Sequence, residues 1–157
     1  MNRFTDKVVL VTGGCHGIGL AMAKRFHDEG AKVIITSFNK TEVDEGIKGM
    51  EGRKVDAIIS DKIKPEDRKS LHKSILDKYG RLDVLVLNVG VGNHVGRQLK
   101  ITEQKFDHMF KLNVKSTFFM IVEFLDLLQK SEKANILVNT STSVSYTHLT
   151  LPTNREV

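Results

Sequence analysis

Cysteine, tryptophan and long apolar runs are scarce or missing in this sequence. The 157 residues include one cysteine, Cys15, and no tryptophan. A single cysteine excludes an internal disulfide and agrees with a reducing compartment. No stretch approaches the roughly 18 apolar residues that a bilayer span requires, and the opening MNRFTDK lacks the apolar core of a secretory signal. We therefore expect a soluble, cytoplasmic protein without membrane association.

Blocks of charge and clusters of metal-binding residues are also missing. The net charge is +5, but the basic residues are scattered among acidic ones. This distribution disfavours a nucleic-acid partner and suits a solvated surface that accepts a phosphate-rich cofactor. The six histidines, at positions 16, 27, 72, 94, 108 and 148, form no pair four residues apart. We therefore predict no metal site.

Glycine, by contrast, is concentrated in one informative stretch, TGGCHGIG. It follows an apolar run at residues 8–11 and leads into a segment with helical periodicity. Glycines let backbone amides approach an anion, and the first helical turn adds unpaired N–H groups and partial positive charge. The stretch therefore predicts a dinucleotide diphosphate site, against the alternative of an ordinary strand-to-helix turn. The candidate cofactor-binding residues here are Thr12, Gly13, Gly14, His16, Gly17, Ile18 and Gly19.

The rest of the chain alternates between strand and helix patterns. Apolar runs predict strands at residues 8–11, 31–36, 55–60, 82–87 and 135–138. Gly30 should end the first helix, Thr41 with Asp44 should open the second, and Pro65 and Gly80 should bound the third. A long helical stretch should begin at residues 102–103. This alternation predicts an α/β fold, a Rossmann-type doubly wound parallel sheet that is incomplete at about five strands.

The spacing of these features resembles one known family. Glycines at 13, 17 and 19 behind Thr12 match TGxxxGxG, a pattern of the short-chain dehydrogenase/reductase family. A phosphate-loop NTPase would need Lys and then Ser or Thr after the last glycine, where this chain has only Leu20 and Ala21. The resemblance covers roughly residues 6 to 144. Its strand ends and NVGV stretch are most similar to the family's carbonyl and retinal reductases.

The resemblance implies a nicotinamide cofactor. An acidic residue at the end of the second strand would hold the ribose 2′-OH and repel a 2′-phosphate. The sequence there is TSFNK, with no carboxylate and with Ser37, Lys40 and His16 as groups that could accept a phosphate. We therefore predict NADP, with NAD as the alternative, although NADP-preferring relatives usually carry arginine where Phe38 stands.

Further site residues follow from the same resemblance. Asp61 would contact the adenine amino group, or simply form a turn. Residues Asn88, Val89 and Gly90 partly match the NNAG pattern that approaches the nicotinamide ribose. The catalytic candidates are Asn113, which would bind a proton-relaying water, and Ser141, which would hold the substrate carbonyl, with surface or turn roles as the alternatives.

The family's catalytic YxxxK motif is missing. Tyr146 lies only five residues after Ser141, and Thr150 stands where the lysine should be. The C-terminal sequence SYTHLTLPTNREV resembles translated adaptor read-through. We therefore divide the chain into an NAD(P)-binding Rossmann domain, 1–144, and a non-native tail, 145–157. The chain itself should then be inactive, with an uncovered edge at residues 136–138 and marginal stability.

The resulting prediction is an NAD(P)-dependent oxidoreductase that reduces a carbonyl or oxidises an alcohol by hydride transfer. The alternative is a non-catalytic dinucleotide-binding module. The expected partner is a small carbonyl or alcohol substrate. The full-length protein should be a homo-oligomer, peroxisomal if a C-terminal signal has been lost.

Overall fold

The computed structural model describes residues 2–90 and 102–140. These residues form five strands and five α-helices in the alternating order that the sequence predicts. The elements are β1 (Val8–Thr12), α1 (Gly17–Asp28), β2 (Lys32–Ser37), α2 (Lys40–Gly49), β3 (Asp56–Ile59), α3 (Pro65–Tyr79), β4 (Val84–Leu87), α4 (Glu103–Phe110), a π-helical segment (Lys111–Lys115), α5 (Ser116–Gln129) and β5 (Asn135–Val138).

All five strands are parallel and lie in the order β3-β2-β1-β4-β5. In the central strand, Leu10 pairs with Ile34 of β2 on one side and with Leu85 of β4 on the other. The chain thus leaves β1 in one direction and later returns to its opposite edge. This reversal is the topological switch point, where doubly wound sheets place their ligands beyond the strands' carboxyl ends. The predicted fold class is confirmed.

The three inner strands, β1, β2 and β4, are buried on both faces because helices cover both sides of the sheet there. Alternate residues of β1 enter different cores. Val8 and Leu10 pack with Phe124 and other residues of α3 and α5. Val9 and Val11 pack with residues that include those of α1 and α2. This division explains why the strands have continuous apolar sequences instead of alternating ones.

The predicted ends of two helices are confirmed, and one predicted start is wrong. Gly30 and Gly80 follow α1 and α3 with φ of 94° and 73°, a conformation that glycine adopts without a steric penalty. The second helix is not opened by Thr41. Its N-cap is Asn39, whose side chain accepts a hydrogen bond from the backbone N–H of Glu42.

The predicted long helix after residue 102 is interrupted. The segment Lys111–Lys115 forms π-helical hydrogen bonds between α4 and α5. Such a segment accommodates an extra residue in the helix, and π-bulges are frequent at functional sites. Asn113 lies in the middle of this segment.

Strand β5 has little cover, as the sequence predicts. It pairs with β4, but Ile136, Leu137 and Val138 are each more than 40% exposed. Several large apolar residues of α4 and α5, including Phe106 and Phe118, are also exposed. Within residues 2–90 and 102–140, this end of the sheet is therefore the least protected part of the core.

Candidate functional site

A cavity of about 380 Å³ opens at the carboxyl ends of the strands, at the switch point between β1 and β4. The loops after four strands and part of the α4–α5 region contribute to its wall. The lining residues are Thr12, Gly13, His16, Thr36, Ser37, Phe38, Glu42, Ser60, Asp61, Lys62, Ile63, Leu71, Asn88, Val89, Gly90, His108, Leu112 and Met120. Eight of the predicted cofactor-binding residues are among them.

The glycine turn forms one wall of this cavity, and two of its glycines are required by close approaches. Gly13 has a φ of 64°, and a Cβ there would lie 2.8 Å from Val89 Cγ2. At Gly19, a Cβ would lie only 2.1 Å from the carbonyl oxygen of Gly13. The turn therefore folds tightly against both the start of α1 and the segment after β4.

The first turn of α1 faces solvent and carries no acidic residue. Gly17 and Ile18 are its first residues, and both are exposed. His16 is the N-cap but makes no capping hydrogen bond through its side chain. Gly14 is buried against Ile35 of β2. The unpaired N–H groups of this turn can accept an anion, which fits the diphosphate of a dinucleotide.

An amide side chain ties the central strands together at the floor of the cavity. The Thr12 hydroxyl donates to the Val86 carbonyl at 3.1 Å and accepts from the Asn88 N–H at 3.2 Å. Asn88 Nδ2 donates to the Gly13 carbonyl at 3.3 Å, and Asn139 Nδ2 donates to Asn88 Oδ1 at 2.8 Å. Asn88 thus links the ends of β1, β4 and β5. The sequence interpretation missed Asn139, whose position directly after β5 was the available signal.

At the end of β2, the predicted cofactor-binding side chains of Ser37 and Lys40 each contact a carboxylate. The Ser37 hydroxyl lines the cavity and donates a hydrogen bond to Glu42 Oε2. Lys40 Nζ bonds Asp44 Oδ2 at 2.9 Å, along the exposed surface of α2. The strand end itself carries no carboxylate, as the sequence predicts, but the first turn of α2 brings Glu42 to it. The spacing of Asn39 and Glu42, typical of a helix start with reciprocal side-chain contacts, was the signal for this contact.

At the end of β3, Asp61 lines the cavity while forming a turn. Its Oδ1 accepts from the Ile63 N–H at 3.0 Å, and its own N–H donates to Asp67 Oδ2 at 2.9 Å. Arg68 Nη1 donates to the Lys62 carbonyl at 2.8 Å from behind the turn. Asp61 therefore takes part in a turn and lines the cavity at the same time.

The most unexpected residue in the cavity wall is Lys62. Its side chain is 5% exposed, and Nζ donates to the Val89 carbonyl at 2.7 Å and to the Thr117 hydroxyl at 3.3 Å. Burial lowers its pKa to about 8, although the charge of Asp61 opposes that shift. No signal in the sequence indicated this burial, because a lysine in a polar turn is ordinarily solvated.

Of the two predicted catalytic residues, Asn113 lies within the described residues and Ser141 does not. A Cβ on Gly90 would lie 3.4 Å from Asn113 Oδ1, so the π-helical segment brings this amide close to the end of β4. His108, one turn earlier, lines the cavity. Ser141 lies outside the described residues, as do Tyr146 and the proposed tail.

The thiol of Cys15 is buried. Cys15 is part of the glycine turn, and burial, followed by the charge of Glu42, raises the pKa of the thiol to about 11. A thiol with so high a pKa is a poor nucleophile. In the part of the chain that the structure describes, no group of three or more potential ligands is arranged for a metal ion. No helix there is long and apolar enough to cross a membrane.

Comparison with known proteins agrees with this geometry. The family described as short chain dehydrogenase matches residues 7–151. Dehydrogenase/reductase SDR family member 4 from Caenorhabditis elegans is 37% identical over 144 residues, covering 90% of this chain and 55% of the relative. Tropinone reductase-like 3 from Erythroxylum coca is 32% identical, covering 86% of this chain and 53% of the relative. The chain thus spans about half the length of the curated relatives that it matches.

A solved structure shows the same architecture. The crystal structure of gox2181 matches with a TM-score of 0.83 over 90% of this chain and 56% of its own, at 24% identity. At that identity the likeness concerns the fold alone. The family match, by contrast, extends over most of the sequence and includes the glycine turn and the Asn88 segment. The chain belongs to the short-chain dehydrogenase/reductase family.

Proposed function

We propose that this chain is the dinucleotide-binding part of an NAD(P)-dependent oxidoreductase that reduces a carbonyl or oxidises an alcohol. The observation that carries the proposal is the cavity at the switch point, bordered by a glycine turn that opens α1. Family membership supports the reaction class. When bound, the nicotinamide supplies hydride chemistry, while the protein supplies position and protons.

The residues present fit such a cofactor. The first turn of α1 offers N–H groups and carries no carboxylate that would repel a diphosphate. At Gly13 and Gly19 the turn has no room for a side chain. Asp61 lines the cavity and would contact the adenine, and Asn88 to Gly90 also line it and would approach the nicotinamide ribose.

For the chemical step, Ser141 would hold the substrate carbonyl oxygen, and Asn113 would orient a water that relays protons. The sequence contains no YxxxK motif after Ser141. A tyrosine whose pKa is lowered by a lysine would be the acid of the reaction. We therefore propose that the 157-residue chain binds dinucleotide without turning over a carbonyl substrate, and that the tail 145–157 is not native. A whole oxidoreductase would be cytoplasmic or peroxisomal and oligomeric.

The prediction of NADP rested on an end of β2 without a carboxylate. Glu42 weighs against that premise because it lies against Ser37. The class of cofactor proposed is unaffected, since NAD and NADP share the diphosphate, adenine and nicotinamide groups.

A charge placed in the first turn of α1 tests dinucleotide binding. Ile18 is 62% exposed, so Ile18→Glu adds a carboxylate without disturbing the core. We expect it to weaken NADH and NADPH binding by about tenfold or more, measured by fluorescence titration. Ala21→Glu, exposed one turn further along the same helix, is the matched control and should bind as the unmodified chain does.

Although Ile18→Glu should bind dinucleotide more weakly, it should be at least as stable to unfolding as the unmodified chain. A glutamate in the first turn of a helix stabilises it by about 0.3–1 kcal/mol. Weaker binding by a chain that unfolds at an equal or higher temperature would therefore arise from the site and not from misfolding. Equal affinity in all three chains, or no binding at all, would contradict the proposed function. Turnover of carbonyl substrates by the unmodified chain would contradict the proposed inactivity.

A further inference from the structure

The carboxylate of Glu42 is built into the end of β2 by a set of local hydrogen bonds. Asn39 Oδ1 accepts from the Glu42 N–H at 2.9 Å, and Asn39 Nδ2 donates to Glu42 Oε1 at 3.1 Å. The Ser37 hydroxyl donates to Oε2. These contacts hold both carboxylate oxygens in place over the last residue of the strand. The group is therefore preorganised and does not sample solvent freely.

The same carboxylate faces the cavity. Glu42 lines it together with Ser37 and Phe38, and its side chain remains 25% exposed. Each carboxylate oxygen can accept a second hydrogen bond. Two hydroxyls on adjacent carbons, as on a ribose, are the kind of donor that such a carboxylate binds. A phosphate at the same position would instead bring a second negative charge against it.

The positive charges near this end of β2 do not offset Glu42. Lys40 is held by Asp44 and is not among the described residues that line the cavity. His16 Nε2 lies 4.0 Å from Glu42 Oε2 and is mostly exposed. Lys62 is bonded to the Val89 carbonyl and Thr117 hydroxyl. Among described residues, the group that contacts the Ser37 hydroxyl is therefore anionic.

We infer that Glu42 is a specificity-determining residue: it accepts hydrogen bonds from the ribose of the adenosine half and disfavours a 2′-phosphate, so that the site prefers NAD(H) to NADP(H). This inference rests on the proposed dinucleotide-binding function. It differs from the preference that the TSFNK sequence alone predicts. The difference arises because the carboxylate comes from the first turn of α2 and not from the strand end itself.

Titration of the 157-residue chain with NADH and with NADPH, followed by nucleotide fluorescence, tests the inference. We expect NADH to bind at least about tenfold more tightly. In Glu42→Gln, which keeps the size of the side chain, NADPH should bind more tightly and the ratio of the two dissociation constants should fall by about tenfold. Glu45→Gln removes an exposed charge from the same helix and should leave the ratio unchanged.

The outcomes separate the inference from the function on which it rests. Tighter binding of NADPH than of NADH by the unmodified chain would overturn the inference and leave the proposed function intact. An unchanged ratio in a folded Glu42→Gln chain would do the same. Failure of both nucleotides to bind the unmodified chain would overturn the proposed function and the inference together. The preference of the unmodified chain is itself a test, so the inference stays falsifiable even if Glu42→Gln does not fold.

Discussion

The ammonium nitrogen of Lys62 lies 2.7 Å from the main-chain oxygen of Val89, and this contact joins the turns that follow β3 and β4. The ammonium is buried, and burial lowers the pKa of Lys62 to about 8 from 10.5. In the unfolded chain the lysine keeps its proton up to the higher value. Between the two values the unfolded state binds more protons, so folding becomes more favourable as pH rises through this window.

Replacing Lys62 by methionine removes this dependence. The lowered pKa corresponds to a net cost on the order of 3 kcal/mol for keeping the charged form in the folded state at pH 7. We expect the stability of Lys62→Met relative to the unmodified chain to decline as pH rises from 8 to 10.5. Thermal unfolding at several pH values measures the difference. Lys64→Met changes an exposed lysine of the same turn and should show no such trend, and a parallel pH profile for both variants would contradict the prediction.

Acid should weaken the packing of the N-terminal segment against α1. Arg3 Nη2 donates to Glu29 Oε1 at 2.7 Å. The Arg3 hydrogen bonds, helped by Arg25 and opposed by burial, lower the pKa of Glu29 to about 2 from 4.5. The resulting stability is present above 4.5 and is lost as pH falls toward 2.

Glu29→Gln should therefore be less stable than the unmodified chain at pH 7, and its stability should fall less between pH 4.5 and pH 2. Chemical denaturation at these pH values measures both effects. Glu45→Gln, which lies in an exposed position, is the control. Identical acid profiles for the unmodified chain and Glu29→Gln would show that the ion pair does not contribute.

Two phenylalanines of α5 should respond very differently to truncation. Phe124 is fully buried between the helix and the sheet, whereas Phe118 is 60% exposed. Phe124→Ala should cost about 3–5 kcal/mol because it leaves a cavity in the core. Phe118→Ala should change stability by about 0.5 kcal/mol or less. Urea denaturation of both variants measures the contrast, and similar losses would contradict the observed packing of α5.

A charge on β5 should reduce self-association. Leu137 is 44% exposed, and its strand, β5, pairs only with β4 among the described residues. An inward or edge charge is a common way to prevent pairing between exposed strands. We expect Leu137→Lys to lower the light scattering of concentrated samples with little loss of stability. Ala134→Lys adds the same charge just before the strand and should have a smaller effect; equal effects would indicate that net charge alone matters.

Much of the fold could be predicted because its signals are local. The apolar runs of the strands, the glycines at 30 and 80 and the proline at 65 each specify a boundary within a few residues. Their regular alternation leaves few topologies other than a parallel sheet with helices on both faces. The start of α2 was misplaced because Asn39 and Thr41 are both acceptable cap residues, and only the surrounding packing selects between them.

The candidate site was only partly predictable. Thr12, Gly13 and Asn88 could be found because they belong to short motifs at strand ends. The Asn39–Glu42 spacing signals the local contacts that hold Glu42 at the end of β2, whereas the contact of Lys62 with Val89 is tertiary and has no local signal. Asn113 was predicted as a site residue, but the π-helical turn that brings it near Gly90 has no clear sequence signal.

The central position of β1 has a consequence for the order in which the protein is assembled during synthesis. The strand translated first has one neighbour, β2, that follows within a few dozen residues, and another, β4, that arrives only with Val84–Leu87. Until then its second edge is open and the glycine turn lacks Asn88 and Val89 as its opposite wall. A ribosome-bound chain shorter than about 90 residues should therefore lack the cavity at the switch point, since non-local strand pairing must precede it.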